Sequence, residues 1–138
     1  MREKLKAPKQ TMAMLMLLAE DKGSRIKEEK EKREVREAVL TGILADVAEA
    51  FEVPLSTVVA GDQQEMTVFV RSIYYFVARI KTDYGMIPIV RIAGRKDHTG
   101  LIHHLKKIRG YIKTQNHEFI SLWNHYLTVS QLFTEKDF

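Results

Sequence analysis

The chain has 138 residues, 45% of them hydrophobic and 29% charged, with a net charge of +4. That is enough to bury one core and too little for two full domains. It contains no cysteine, so disulfide frameworks, thiolate zinc sites and cysteine nucleophiles are excluded, and a reducing, cytoplasmic setting is expected.

Residues 1–11, MREKLKAPKQT, are basic and polar and are expected to be loose. The run MAMLMLLA that follows is far below the roughly 18 apolar residues of a membrane span and lacks a small-x-small cleavage pattern. No membrane partner is therefore expected. From Ser24, read as an N-cap, SRIKEEKEKREVREAVLTGILADVAEAF is free of proline and rich in helix formers, with Glu28–Lys32 and Glu29–Arg33 pairs one turn apart. Its first half is a charged, solvated stalk. Its second half carries Leu40, Ile43, Leu44, Val47 and Phe51 at helical spacing, which marks the start of the core.

Val53-Pro54 breaks this pattern, a short helix runs through Val59 to Ala60-Gly61, and residues 62–65 read as a loop. Met66, Phe69, Ile73, Val77 and Ile80 then predict an amphipathic helix that shows Arg71 and Arg79 on its other face and closes at Tyr84-Gly85. Residues 87–94, IPIVRIAG, predict a short apolar helix with proline in its first turn and glycine past its end. The next helix has Leu101, Leu105, Ile108 and Ile112 as its stripe, with Lys96, Asp97, His98 and Thr99 in its first turn and Asp97 as cap. Residues 117–127, HEFISLWNHYL, suggest a last helix whose aromatic face packs on the core or a partner. No strand and no internal repeat is visible. The division expected is a basic and charged helical extension over 1–36, a helical domain over 37–113, and a helix and tail over 114–138.

Three histidines lie between residues 98 and 104, yet His98 stands five residues from His103 and six from His104. At 3.6 residues per turn they diverge, and the adjacent pair does not converge on one ion, so no metal site is expected. Ser56, Ser72, Ser121 and Ser130 lack a nucleophile-elbow setting, and no phosphate-binding glycine loop or dinucleotide fingerprint occurs. The expectation is no enzyme, no catalytic residue, no cofactor and no nucleotide.

Binding to DNA fits the charge better. Between Met86 and Lys113 there are seven lysines and arginines (Arg91, Arg95, Lys96, Lys106, Lys107, Arg109, Lys113) and one acid, Asp97. Two helices joined by a tight glycine-containing turn, the second polar and basic at its start, form the layout of a helix-turn-helix. The free amides at a helix N-terminus suit phosphate, and first-turn side chains reach base edges.

Residues 94–103, GRKDHTGLIH, resemble the G-G-R-D-H-[ST]-T-V-x-x signature in the C-terminal DNA-binding domain of the bacterial replication initiator DnaA family. Val47 to Ile108, a little under half the chain, lies along that domain with essentially no gaps, including the V-A-E-x-[FY] opening at Val47 to Phe51. The resemblance implies an all-α fold of Trp-repressor type, with an N-terminal helical extension and an added C-terminal helix, that reads a short box of double-stranded DNA. It implies Asp97, His98 and Thr99 as base readers, with Lys96, Gly100 and His103 at family positions and Arg71 and Arg79 as contacts from the preceding helix. Arg95 and Lys107 complete the expected DNA-binding set.

Two departures stand out. Gly61 to Glu65, GDQQE, replaces the strongly basic loop of the family, and Gly100 replaces a threonine. With no ATPase module, the chain reads as a detached reader, an accessory or regulator associated with replication or a mobile element. The alternative is a protein-interaction or self-association module that keeps the fold, with Met14, Leu17, Leu18, Trp123 and Tyr126 as its apolar surface and a homo-oligomer or protein partner docked through the terminal helices.

Overall fold

The computed structural model describes the backbone of residues 12–133 and the side chains of residues 27–133. The described residues are all-helical, with six helices and no strand. They run α1 (Met12–Ala50), α2 (Leu55–Val59), α3 (Glu65–Lys81), α4 (Met86–Ile92), α5 (Thr99–Lys113) and α6 (His117–Val129). The chain divides into two units between Val35 and Arg36. Among the described residues no helix is long and apolar enough to cross a membrane. The reading of residues 1–11 as loose, and the apolar surface assigned to Met14, Leu17 and Leu18, lie outside the described residues and side chains.

In the first unit the side chains of residues 27–35 are exposed, as the charge pattern predicts. Ser24 is not the start of a helix: α1 passes through it from Met12, because strong helix formers on both sides carry the backbone bonding across Gly23-Ser24.

The second unit holds the core. Leu40, Ile43, Leu44 and Val47 are buried at the predicted spacing on α1. α1 stops where Glu52 turns left-handed (φ 56°), Glu52 N–H donating to Glu49 O and Val53 N–H to Ala48 O. The same closure ends α5, where Gln115 has φ 53° and Asn116 N–H donates to Tyr111 O. Asn116 then caps α6, its side-chain oxygen accepting from Phe119 N–H at 2.9 Å.

α3 packs against α2, α4 and α5. Its buried face is wider than the apolar periodicity predicts, taking in Thr67, Val70, Arg71, Tyr74, Tyr75 and Ala78, while Met66 and Ile80 at its ends are exposed. It closes at Lys81 rather than Tyr84-Gly85, because the Thr82 backbone is extended and its hydroxyl donates to Ala78 O at 2.7 Å. On α5, Leu101 and Ile108 are buried and Ile112 is 49% exposed, so the apolar stripe runs out of core before the helix ends.

α6 contributes Phe119 and Tyr126 to the core, and Tyr126 is fully buried. Tyr126 is therefore not part of an exposed apolar surface, contrary to expectation, and Trp123 is half-buried against Phe76. The reason is an aromatic cluster in which Tyr126 meets Phe51, Trp123 and Phe133. Asp46 on α1 anchors this end of α6, accepting from Tyr126 Oη and Ser130 Oγ, both at 2.7 Å, and from Gln131 N–H at 2.9 Å.

Candidate nucleic-acid interface

The α4–α5 connection is built around Gly94. Its φ of +80° closes α4, with Gly94 N–H donating to Arg91 O and Arg95 N–H to Val90 O. A Cβ here would lie 2.2 Å from Val59 O, so the turn presses directly on the end of α2. Helix α5 begins only at Thr99, which leaves Lys96, Asp97 and His98 in the turn instead of the helix's first turn. Asp97 still serves the helix start, its Oδ1 accepting from Thr99 N–H at 3.0 Å.

Lys96, Asp97, Thr99, Gly100, His103 and Lys107 are exposed, and His98 is half-buried. Thr99, His103 and Lys107 fall four residues apart and share one face of α5. The expected reading residues are thus together and accessible. Arg79 is exposed but stands in the last turn of α3. It does not line the recess beside the turn.

Arg71 departs from the expectation. It is 3% exposed, and its Nη2 donates to Val58 O at 2.9 Å, which also accepts from Gly61 N–H, and to Asp62 O at 3.2 Å, so it ties down the carbonyl end of α2. As placed it cannot be a surface contact to a base. Its Nε is buried without a partner. Desolvation lowers its pKa from the ordinary arginine value, and nearby Arg95 lowers it further. Arg95 is half-buried and folds back over Gly61, its Nη1 3.3 Å from where a Cβ would stand there.

Between α3 and the turn lies a recess of about 570 Å³, lined among others by Gln63, Arg71, Tyr75, Arg95, Lys96 and His104. His104, absent from the expected site, faces α3: its Nδ1 hydrogen-bonds Ser72 Oγ at 2.5 Å and its ring centroid lies 5.6 Å from that of Tyr75. Burial, with Lys107, Arg71, His103 and Arg95 nearby, lowers its pKa to about 4, so it is neutral at pH 7. The only sequence signal for this wall is the stretch VFVRSIYYF, residues 68–76, in which a single charge sits among apolar and aromatic neighbours. Among the described residues no group of three histidines and carboxylates is arranged to hold a metal.

Comparison with family models, with curated proteins and with solved structures finds no match for this chain.

Proposed function

We propose that this chain binds double-stranded DNA, presenting the start of α5 to the major groove in the manner of a helix-turn-helix. One observation carries the reading: Lys96, Thr99, Gly100, His103 and Lys107 are exposed around the start and along one face of α5, and the nearest carboxylate, Asp97, is engaged with Thr99 N–H. Positive charge at a helix start, with short polar side chains beside it, suits phosphate positioning and base-edge contact together. The resemblance of residues 94–103 to the DnaA-family signature supports the same assignment, and replication or mobile-element association is proposed on that ground alone. With Arg71 buried, contacts fall on the turn and on α5.

A selection from random duplexes, followed by fluorescence anisotropy at low salt, tests the proposal. Enrichment of a short asymmetric motif is the expected result. Absence of duplex binding at low salt refutes it and leaves an interaction module as the surviving reading.

A further inference from the structure

Charge is segregated within the second unit. Residues 37–54 carry four acids and no lysine or arginine, whereas residues 86–113 carry seven lysines and arginines against one acid. Beside the acidic stretch, an apolar groove of about 580 Å³ runs along α1, with Val39, Gly42, Ala45, Glu49 and Leu132 among its lining residues. Val39 is 40% exposed, and a Cβ on Gly42 would meet nothing within 4 Å, so the chain leaves the groove open to close approach by another helix. Exposed Glu52 lines an adjoining recess that shares Glu49. Asp46 is occupied by the end of α6, which leaves Glu49 and Glu52 as the acids available to a partner.

On α5, Ile102, Lys106, Arg109 and Lys113 follow at spacings of four, three and four and form a second exposed face, beside the one that carries Thr99, His103 and Lys107. Ile102 is 37% exposed, and Ile112, at the edge of this face, 49%. Phosphates would pair with the cations but give the isoleucines no apolar surface, so the face calls for a partner that is apolar and acidic together. The groove on α1 is such a surface. No residue of α5 lines it, so within one copy the two do not meet. Among the described residues none of Glu49, Glu52, Lys106, Arg109 and Lys113 is in an ion pair.

We propose that the α5 face of one copy docks in the α1 groove of a second, head to tail. The two surfaces match in length and in order. Ala38 to Glu49 and Ile102 to Lys113 each advance eleven residues along a helix, about 16 Å. With the two helices running in the same direction, Ile102 meets Val39, and Arg109 and Lys113 reach Glu49 and Glu52. Apolar contact drives the association, and the charges fix its direction and register. The contact uses different surfaces on the two copies, so a docked pair keeps one of each free and a third copy can add. The inference does not rest on the duplex reading.

Light scattering of the full chain without DNA, over a range of protein and salt concentrations, tests the proposal. Mass should rise with protein concentration and fall as salt screens the charges. Glu49→Lys and Arg109→Glu each reverse one exposed charge, and each should weaken association about tenfold or more, on the scale of close charge pairs across interfaces. An equimolar mixture of the two variants should restore it, because each groove then has an α5 of opposite charge to receive, and restoration shows both variants folded. A chain that stays monomeric at every concentration overturns the proposal. So does association that neither reversal weakens, which would place the contact on other residues, or association that mixing fails to restore, which would make the contact symmetrical. Loss of duplex affinity in Arg109→Glu with mass unchanged also overturns it, and would make this face a contact to the DNA backbone.

Discussion

Gly94 meets the carbonyl oxygen of Val59 so closely that a Cβ would stand 2.2 Å from it. This contact seats the α4–α5 turn on α2, and with it the start of α5. The position is doubly restricted, because φ is +80° and the neighbour is backbone, which cannot rotate away. Gly94→Ala should therefore lose about 3 kcal/mol or more, read as a fall in thermal midpoint by circular dichroism. Gly110→Ala, inside α5 with nothing within 4 Å of the added carbon, should gain about 0.5–1 kcal/mol. A tolerated Gly94→Ala would mean that the turn does not rest on α2.

Two further helix ends use the same left-handed closure without glycine, at Glu52 (φ 56°) and Gln115 (φ 53°). Each carries a steric cost that glycine avoids, partly offset by the greater freedom of glycine in the unfolded chain. Glu52→Gly and Gln115→Gly should each raise stability by about 0.5–1 kcal/mol in urea unfolding. A loss at either position would place the side chain in a role beyond closing its helix.

These helix ends show how far the sequence could be read. Gly61 and Gly94 announce the ends of α2 and α4, because glycine there is the signal for a left-handed residue. Glu52 and Gln115 announce nothing, since neither residue type predicts positive φ. The apolar spacing from Leu40 to Val47 locates the α1 core face well, because it repeats over more than a turn. Arg71 lies away from its expected face for the opposite reason: charge alone suggests a solvated face, whereas the carbonyl end of α2, thirteen residues earlier, supplies acceptors that only the tertiary fold brings near. The exposed residues of the turn were legible as a motif. The recess behind them, with His104 and Tyr75, depends on the packing of α5 on α3, and its one local trace is the single charge among apolar and aromatic neighbours in residues 68–76.

Asp46 holds the far end of α6 by three hydrogen bonds, one from the buried Tyr126. Burial, with the Asp46 carboxylate as a further contributor, pushes the Tyr126 hydroxyl pKa up. Tyr126→Phe should cost about 1–2 kcal/mol, and Asp46→Ala about 2–3 kcal/mol, since the latter leaves a buried hydroxyl without its acceptor. In a double-mutant cycle the pair should show coupling of about 1 kcal/mol. Strict additivity would show that the two side chains act independently in solution.

His104 should make stability depend on pH. Its folded pKa of about 4 lies below the ordinary 6.5, chiefly through burial. Between those values the unfolded chain takes up a proton that the folded chain refuses, so acid favours unfolding. The contribution is fully present above pH 6.5 and is lost progressively as pH falls from there toward 4. Thermal midpoints of the parent and of His104→Gln across this range, taken as a difference, cancel the other titrating groups. The difference should slope, and a ring titration by NMR should place the midpoint well below 6.5. A midpoint near 6.5 would show the ring solvated in solution and detached from Ser72.

The DNA reading makes separate demands on the turn and on the body of α5. His98 and Thr99 stand at the helix start, where side chains can reach base edges, whereas Lys107 lies two turns further along, where only backbone phosphates remain within reach. His98→Ala with Thr99→Ala should therefore bring the selected motif and a scrambled duplex to the same affinity, while Lys107→Ala weakens both alike. Removing one phosphate contact should also reduce the slope of log affinity against log salt by about 0.9, because one fewer counterion is released. The GDQQE loop supplies no cation of its own, so the parent slope should reflect only the few bases of the turn and α5. Equal loss of discrimination from all three substitutions would place recognition somewhere other than the start of α5.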